Sequence, residues 1–364
     1  MREECQVTED EFFLVFDPTV DQCDLDGWMQ HFGAAGVAVT MHRLGSAAVI
    51  TAKDPPSRLP VPGGLASPRQ IVRSTDQFRL FRRELRPHGT LVSIGPVVVG
   101  DGSIAVVAGP CAVESREQVL ATATAVAQYG AVALRGGAFK PRTSPYSFQG
   151  LCWEGLDLLA EARSLTGLPV VTEVVEPGHV ERVGAVADAL QIGARNMQNF
   201  SLLREVGRSG MPVILKRGFG TTVDELLSAS EYVLTQGNDQ IVLCERGIRT
   251  FEPSQRFTLD LGSVALIKQR TYLPVMVDPS HALGIRELVE PLALGAAAVG
   301  ADALLIDVHT EPRTALCDGA QALLPAEFSR LVNRLEMLTM GLGRKVARLD
   351  RQNTSSVLTG GDFW

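Results

Sequence analysis

The stretch PVILKRG, residues 212–218, shows the pattern that recurs through most of the chain. A short apolar run ends in two cations and a glycine. An almost continuous apolar run is typical of a strand buried on both faces, as in a parallel sheet. Similar runs occur at 104–109 (IAVVAG), 131–137 (AVALRGG), 169–174 (PVVTEV), 188–193 (DALQIG), 240–247 (QIVLCERG), 274–280 (PVMVDPS) and 301–308 (ADALLIDV).

Helical stretches separate these eight runs. Ser115 and Gln118 have the spacing of a capping box before an alanine-rich segment, and 222–232 and 287–298 also have helical spacing. Eight alternating strand and helix units predict an α/β fold, a (β/α)8 TIM barrel. The alternative is a doubly wound open sheet, which is disfavoured because no GxGxxG follows the first run.

The first hundred residues have a different pattern. Their order of strand, helix, strand, strand, helix and strand predicts a small ferredoxin-like α+β domain. We therefore divide the chain into a ferredoxin-like domain at 1–95, a barrel at 96–340 and a flexible tail at 341–364. The predicted elements are strands at 12–16, 37–41, 47–52 and 91–94, helices at 25–32 and from Ser67 or Ser74 to Leu85, and a proline-rich loop at 54–68.

Composition excludes several classes of protein. The 364 residues are 45% hydrophobic and 21% charged, which is ordinary for a soluble globular protein. The net charge of −7 argues against nonspecific nucleic-acid binding. No apolar run is long enough to span a membrane. The acidic N-terminus does not resemble a secretory signal, and the six cysteines form no CxxC motif, so we expect a cytoplasmic protein.

Polar residues follow the apolar runs, where a barrel places its active site. Six of them are cations that converge on one mouth of an acidic protein, so the expected ligands carry several negative charges, including more than one phosphate. In the alternative reading, some of these cations pair with Glu173 or Glu245 as structural ion pairs. The six are Arg135, Lys140, Arg142, Arg195, Lys216 and Arg246.

A second group combines a thiol, an imidazole and two carboxylates. Cys111, His281, Asp307 and Asp318 follow runs one, seven and eight, which are neighbours once a barrel closes. Mixed sulfur, nitrogen and oxygen ligation suits Mn²⁺, Fe²⁺, Co²⁺ or Zn²⁺ better than Mg²⁺ or Ca²⁺. Taken singly, a cysteine such as Cys111 is more often a packed small residue, and His281 is also consistent with a loop histidine.

Several motifs together resemble one enzyme family. They are AGPCAVES, LRGGAFKPRTSPYSFQG, QIGARNMQNF, ILKRG, CERGIRTFE, DPSHA, and DVH followed by CDGAQ. The chain resembles 3-deoxy-D-arabino-heptulosonate 7-phosphate (DAHP) synthase over about residues 95–340, in the type I branch related to 3-deoxy-D-manno-octulosonate 8-phosphate synthase. Residues 1–95 resemble more loosely the ferredoxin-like regulatory domain of some members.

The resemblance implies condensation of phosphoenolpyruvate with erythrose 4-phosphate, the first step of the shikimate pathway. Lys140 would also act near the reacting carbons as a proton donor, so Lys140, Cys111 and His281 are the implied catalytic residues. The resemblance assigns Arg135, Lys140, Arg195 and Lys216 to phosphoenolpyruvate, Arg142, Thr143, Ser144 and Arg246 to erythrose 4-phosphate, and Cys111, His281, Asp307 and Asp318 to a divalent metal, Mn²⁺ first, with Fe²⁺, Co²⁺ or Zn²⁺ as alternatives.

One position departs from the family pattern. Asp307 stands where the family generally has Glu, which is one methylene longer. Direct ligation by Asp307, ligation through a water and substitution by Glu311 remain open. The resemblance also implies a homo-oligomer, a tetramer or dimer, and an aromatic amino acid as effector.

Two other functions remain open. One is a synthase that uses a longer aldose, arabinose 5-phosphate. Against it stands Arg142, because the octulosonate enzymes typically carry Ala-Asn in place of Pro141-Arg142. The other is a non-catalytic barrel that binds an aromatic metabolite or a partner protein.

Overall fold

The computed structural model describes residues 11–45, 47–53, 62–74 and 79–349. Its N-terminal part is a four-stranded antiparallel sheet with the strand order β2-β3-β1-β4 and one helix. This is the order of a ferredoxin-like unit, so this part of the prediction is confirmed. The elements are β1 (Glu11–Phe16), α1 (Gln22–Ala34), β2 (Val39–Leu44), β3 (Ala47–Lys53) and β4 (Gln70–Ser74).

The sheet lies between α1 and the barrel. Side chains alternate along β1, so Leu14 and Phe16 pack against α1 through Trp28, while Phe13 and Val15 join the barrel's core cluster. This arrangement follows from the period of two along a strand, which sends successive side chains to opposite faces. Both faces of the sheet are therefore covered.

The second predicted helix of this unit is wrong over residues 70–74. This segment forms β4, which pairs antiparallel with β1 from Val15↔Gln70 to Glu11↔Ser74. Pairing covers an edge of β1 that would otherwise expose unpaired amide and carbonyl groups, and the β-branched Ile71 and Val72 suit a strand. Only a 3-10 turn, Arg83–Leu85, follows in the described part of the unit. The first residues of the predicted proline-rich loop, 54–61, lie outside the described residues.

The prediction that residues 91–94 form a strand of the N-terminal unit is wrong about their partner. They form β5 (Val92–Ile94), which pairs with β6 (Val97–Val99) in a hairpin. Four buried side chains of the hairpin pack against residues of the barrel strands such as Val107 and Ile214. The hairpin thus covers the N-terminal end of the barrel and buries apolar surface there.

Eight parallel strands close into the predicted barrel. Its helices surround the strands, and the side chain of Ser115 accepts the Gln118 amide at the start of the first helix. The strands are β7 (Ala105–Gly109), β8 (Ala133–Arg135), β9 (Val170–Glu173), β10 (Ala189–Ile192), β11 (Val213–Lys216), β12 (Ile241–Glu245), β13 (Val275–Val277) and β14 (Ala303–Asp307). The helices are α2 (Arg116–Gln128), α3 (Cys152–Thr166), α4 (Val180–Gly184), α5 (Phe200–Arg208), α6 (Val223–Leu234), α7 (Leu261–Arg270), α8 (Ser280–Leu283), α9 (Arg286–Ala298) and α10 (Pro325–Gly341).

The sequence predicts a flexible tail after α10. The first residues of this segment pack on the barrel instead, because Val346 forms a parallel bridge with Ile104, next to β7. Residues 350–364 lie outside the described part. No helix among the described residues combines the length and apolar character needed to cross a lipid bilayer.

Polar contacts join residues 79–86 to the side of the barrel. A single carboxylate oxygen of Glu231, on α6, accepts the backbone amides of Arg79, Leu80 and Phe81 at 3.1, 2.7 and 3.2 Å. Arg86 pairs with Asp239, just before β12, at 2.7 Å. These contacts lie beside α6 and at the N-terminal ends of the strands.

We expect Glu231→Ala to lower the free energy of unfolding by about 1–3 kcal/mol, because three part-buried amides lose their shared acceptor. Glu231→Gln keeps a carbonyl oxygen at the same position and serves as the matched control, with a smaller loss. Urea denaturation followed by circular dichroism measures both. Equal stability of the alanine variant and the wild type would contradict this role.

Candidate active site

One pocket opens at the carboxyl ends of the barrel strands. It is lined by all six cations that the sequence singled out, together with Thr143 and Ser144. His281 and Asp318, from the predicted metal group, line the same pocket. The barrel therefore brings residues that are far apart in sequence to one place. The cations are Arg135, Lys140, Arg142, Arg195, Lys216 and Arg246.

Four of the cations are buried, and three of these, Arg135, Lys140 and Lys216, contact an aspartate or Cys111. Lys140 Nζ donates to the carbonyl oxygen of Cys111 at 3.0 Å and contacts its Sγ at 3.2 Å. Lys216 Nζ pairs with Asp278 at 2.5 Å. Arg135 pairs with Asp307. Burial lowers the pKa of Arg135 and of Lys140, but neighbouring negative groups, Asp307 and Cys111 respectively, outweigh it and leave both pKa values raised.

The other three cations have no carboxylate within ion-pairing distance in the part of the chain that the structure describes. Arg142 Nη1 contacts Cys317 Sγ at 2.6 Å, and Arg195 donates to Thr143 Oγ1 at 2.9 Å. Arg246 donates to the carbonyl oxygen of His281 at 2.7 Å. These three guanidinium groups thus form no direct ion pair with a carboxylate of the described residues, which favours an anionic ligand.

The two glutamates that could have paired with these cations have other partners. Glu245 pairs with Arg217 at 2.8 Å. Glu173 accepts a hydrogen bond from Gln191 at 3.4 Å. Among the described residues, neither glutamate forms an ion pair with one of the six cations. Structural ion pairs do occur at Arg135 and Lys216, but their partners are the aspartates Asp307 and Asp278.

Three side chains of the predicted metal group converge. Cys111 Sγ lies 3.4 Å from His281 Nε2 and 3.2 Å from Asp318 Oδ2, and the last two atoms are 3.7 Å apart. One ligand atom from each residue lies within 4.8 Å of the others. A thiolate, an imidazole and a carboxylate at these distances fit a borderline divalent ion.

Asp278 orients the imidazole of this group. Its carboxylate lies 2.9 Å from His281 Nδ1 and also pairs with Lys216. Binding through Nδ1 directs Nε2 towards Cys111, as carboxylate–histidine pairs do in metal sites. Burial raises the pKa of the Asp278 carboxyl, but His281 and Lys216 outweigh it and hold that pKa well below its usual range. The sequence placed Asp278 at the end of a strand without giving it a role.

Asp307 contacts only one of the other three, His281, among the distances that the structure gives. One carboxylate oxygen pairs with Arg135, and the other accepts from Gln321 at 3.3 Å and lies 3.4 Å from His281 Nε2. In the described part of the chain it is not among the converging ligand atoms. Aspartate is one methylene shorter than the glutamate usual in the family, so the carboxylate stays at the barrel wall beside Arg135.

Sequence reasoning missed Cys317 beside this group and gave no role to Glu114, at the end of the first strand. Cys317 Sγ lies 3.6 Å from Cys111 Sγ and 3.3 Å from Asp318 Oδ2. Glu114 accepts the backbone amides of Leu316 and Cys317 at 2.9 and 3.3 Å and so holds the loop that carries Asp318. The signals were present, since Cys317 belongs to the CDGAQ motif and Glu114 to AGPCAVES.

Two stacked rings hold arginines at the rim of the pocket. Phe219 and Phe257 stack with their centroids 5.2 Å apart. Arg246 lies over both rings, 4.2 Å from the centroid of Phe257, and Arg195 lies 5.1 Å from that of Phe219. Stacking on aromatic faces fixes guanidinium groups without neutralising their charge.

Comparison with known proteins gives consistent results. A family model described as the DAHP synthetase I family matches residues 79–341. The chain is 48% identical over 276 residues to the phospho-2-dehydro-3-deoxyheptonate aldolase of Thermotoga maritima, an alignment that covers 76% of this chain and 82% of that protein. It is 34% identical over 242 residues to the 2-dehydro-3-deoxyphosphooctonate aldolase of Syntrophotalea carbinolica, covering 62% of this chain and 86% of that protein.

Two solved structures of the Thermotoga maritima enzyme superpose on this chain. The crystal structure of the Thermotoga maritima phospho-2-dehydro-3-deoxyheptonate aldolase (DAHP synthase) superposes with a TM-score of 0.74 at 40% identity and covers 93% of this chain and 99% of that one. A truncated form of the Thermotoga maritima 3-deoxy-D-arabino-heptulosonate 7-phosphate synthase gives a TM-score of 0.68 at 44% identity over 73% of this chain and 98% of that one.

The pair of Arg135 and Asp307 is 2% and 0% exposed, so breaking it leaves a buried charge. We expect Asp307→Asn to lower the free energy of unfolding of the metal-free protein by about 3–5 kcal/mol. Asp307→Glu keeps the charge and is the control. In the double variant Asp307→Asn/Arg135→Gln, the total loss falls short of the sum of the single losses. Strict additivity in denaturant titrations would show that the two groups do not interact.

Proposed function

The chain belongs to the DAHP synthetase I family, and we propose that it condenses phosphoenolpyruvate with erythrose 4-phosphate to 3-deoxy-D-arabino-heptulosonate 7-phosphate and phosphate. The observation that carries this proposal is the pocket in which six cations surround a thiol, an imidazole and a carboxylate. The two substrates together bring two phosphates and one carboxylate, which matches the charge of the pocket. The product would enter the shikimate pathway.

The buried cations suit phosphoenolpyruvate. Arg135, Lys140 and Lys216 lie at the bottom of the pocket, and Arg195 stands at its rim. Together they would neutralise the phosphate and the carboxylate and fix the plane of the alkene. Arg135 remains cationic because Asp307 balances its burial. Much of the expected rate enhancement comes from holding two anions together against their repulsion.

The remaining donors suit the phosphate of the aldose. Arg142, Thr143 and Ser144 follow β8 on one loop, and Arg246 reaches the pocket from the end of β12. Arg195 donates to Thr143, so the two substrate subsites are in contact. A short aldose phosphate would place its aldehyde next to the alkene of phosphoenolpyruvate.

The reaction forms one carbon–carbon bond. C3 of phosphoenolpyruvate attacks the aldehyde carbon, water adds at C2, and phosphate leaves with cleavage of its C–O bond. Lys140, which carries a proton on Nζ beside Cys111, would supply it to the aldehyde oxygen as this oxygen gains charge. A divalent ion held by Cys111, His281 and Asp318 would polarise the aldehyde oxygen or orient a water, with Mn²⁺ the first expectation.

Purified protein is expected to consume phosphoenolpyruvate only when erythrose 4-phosphate and a divalent metal are both present. Phosphate release and loss of absorbance of the alkene measure the reaction, with and without a chelator. Arabinose 5-phosphate in place of erythrose 4-phosphate separates the two synthase activities. Equal or faster turnover with arabinose 5-phosphate would show the longer-aldose synthase, and binding without turnover of either would favour the non-catalytic barrel.

Arg142→Ala provides the matched variant for this assay. Loss of a charged hydrogen bond to the aldose phosphate should raise the KM for erythrose 4-phosphate about tenfold to a hundredfold. The KM for phosphoenolpyruvate should change little, because Arg142 is assigned to the other subsite. An equal rise in both KM values would argue against the assignment.

We further propose that the N-terminal sheet and helix form a regulatory unit for an aromatic amino acid within a homo-oligomer. The support is the family pattern and the firm attachment of residues 79–86 to α6. That attachment lies at the side and N-terminal end of the barrel. An effect on the pocket would therefore pass through the barrel wall or through another copy of the chain. Such coupling is typically worth about 1–3 kcal/mol.

Tyrosine or phenylalanine should accordingly lower the rate of the intact protein severalfold at saturating concentration. Leucine at the same concentration is the control for a nonspecific effect. Initial rates at subsaturating and saturating substrate separate an effect on KM from one on kcat. Unchanged rates with both aromatic amino acids would leave the unit with a structural role only.

A further inference from the structure

Cys317 lies beside two of the three converging residues of the proposed metal group, although it is not itself one of those three. Its Sγ lies 3.6 Å from Cys111 Sγ and 3.3 Å from Asp318 Oδ2. With the three distances among Cys111, His281 and Asp318, five pairs of donor atoms are 3.2–3.7 Å apart. Four donors around one tetrahedral zinc-like ion, with metal–ligand bonds of 2.0–2.3 Å, stand about 3.3–3.8 Å from one another. The five distances follow the edges of such a tetrahedron.

Asp307 fits the fourth position less well. Its carboxylate contacts one member of the group, His281, whereas Cys317 contacts two. Both oxygens of Asp307 are also engaged, one by Arg135 and one by Gln321. Moving this carboxylate onto a metal would leave the buried guanidinium of Arg135 without its partner, which is costly.

The surroundings of Cys317 suit a thiolate. Its side chain is buried, and Arg142 Nη1 approaches the sulfur at 2.6 Å. Glu114 fixes the backbone amide of Cys317 and so holds the sulfur near the group. Asp318 has φ of +53°, a left-handed conformation that few non-glycine residues adopt, and this turn directs adjacent side chains of one loop to the same point.

We propose that Cys317 is a metal ligand in this chain and takes the position that the family's glutamate would fill, giving a set of Cys111, Cys317, His281 and Asp318. The inference rests on the metal centre of the proposed function and deepens it. The sixth distance of the tetrahedron joins Cys317 Sγ and His281 Nε2. For both atoms to bind one ion, the thiol must move towards the imidazole. Two thiolates make the site softer, so it should prefer Zn²⁺, Co²⁺ or Fe²⁺ over Mn²⁺.

Cobalt substitution tests this without turnover. Metal-free protein, kept reduced with a phosphine, is titrated with Co²⁺, and the near-ultraviolet sulfur-to-cobalt charge-transfer band is recorded. Cys317→Ser should lower the band per bound cobalt to about half, as Cys111→Ser should, and the double variant should abolish it. Competition with a chromophoric chelator should show Zn²⁺ binding weakened at least tenfold in Cys317→Ser. Cys23→Ser, on the exposed face of α1, is the matched control and should match the wild type.

A second measurement needs no variant. X-ray absorption of the zinc-loaded wild-type protein should count two sulfur neighbours at about 2.3 Å. A single sulfur, or an undiminished cobalt band and zinc affinity in Cys317→Ser, overturns the inference while leaving the metal centre in place. Absence of any cobalt band in the wild type overturns both the inference and the metal centre. A two-sulfur site in a protein that turns over neither aldose supports the inference and removes the proposed function.

Discussion

The concentration of positive charge at one end of a closed barrel is the constraint on which the rest of the site depends. Parallel strands that close on themselves must all end at the same rim, so the residues that follow them share one small volume. Two of the six cations have carboxylate partners, Asp307 and Asp278, in the described chain. The other four form no direct ion pair with a described carboxylate, so an anionic ligand would complete their charge balance.

The same two aspartates connect the substrate pocket to the proposed metal centre. Asp278 holds both Lys216 and His281, and Asp307 holds Arg135 and lies near His281. A change at either carboxylate therefore removes a contact to a buried cation of the pocket and a contact to His281 together.

The N-terminal unit shows where local patterns were insufficient. Residues 70–74 have apolar spacing compatible with a helix. No feature of this short segment shows that one edge of β1 is unpaired without it. Residues 91–94 have a strand pattern that is correct, but the partner is β6 rather than the N-terminal sheet. Strand pairing is a contact between distant segments, so it depends on which edges and apolar faces the rest of the fold leaves uncovered.

The sequence by itself determined the barrel, the positions of its eight strands and the residues that collect at its mouth. These follow from local properties, namely continuous apolar runs and the polar residues that end them. Only the tertiary structure decided which of those residues touch. It paired Arg135 with Asp307 and Lys216 with Asp278, and it placed Cys317 beside Cys111 across 206 positions of sequence. The physical reason is that burial makes each charge and each sulfur depend on its nearest neighbours, and those neighbours come from distant strands once the barrel closes.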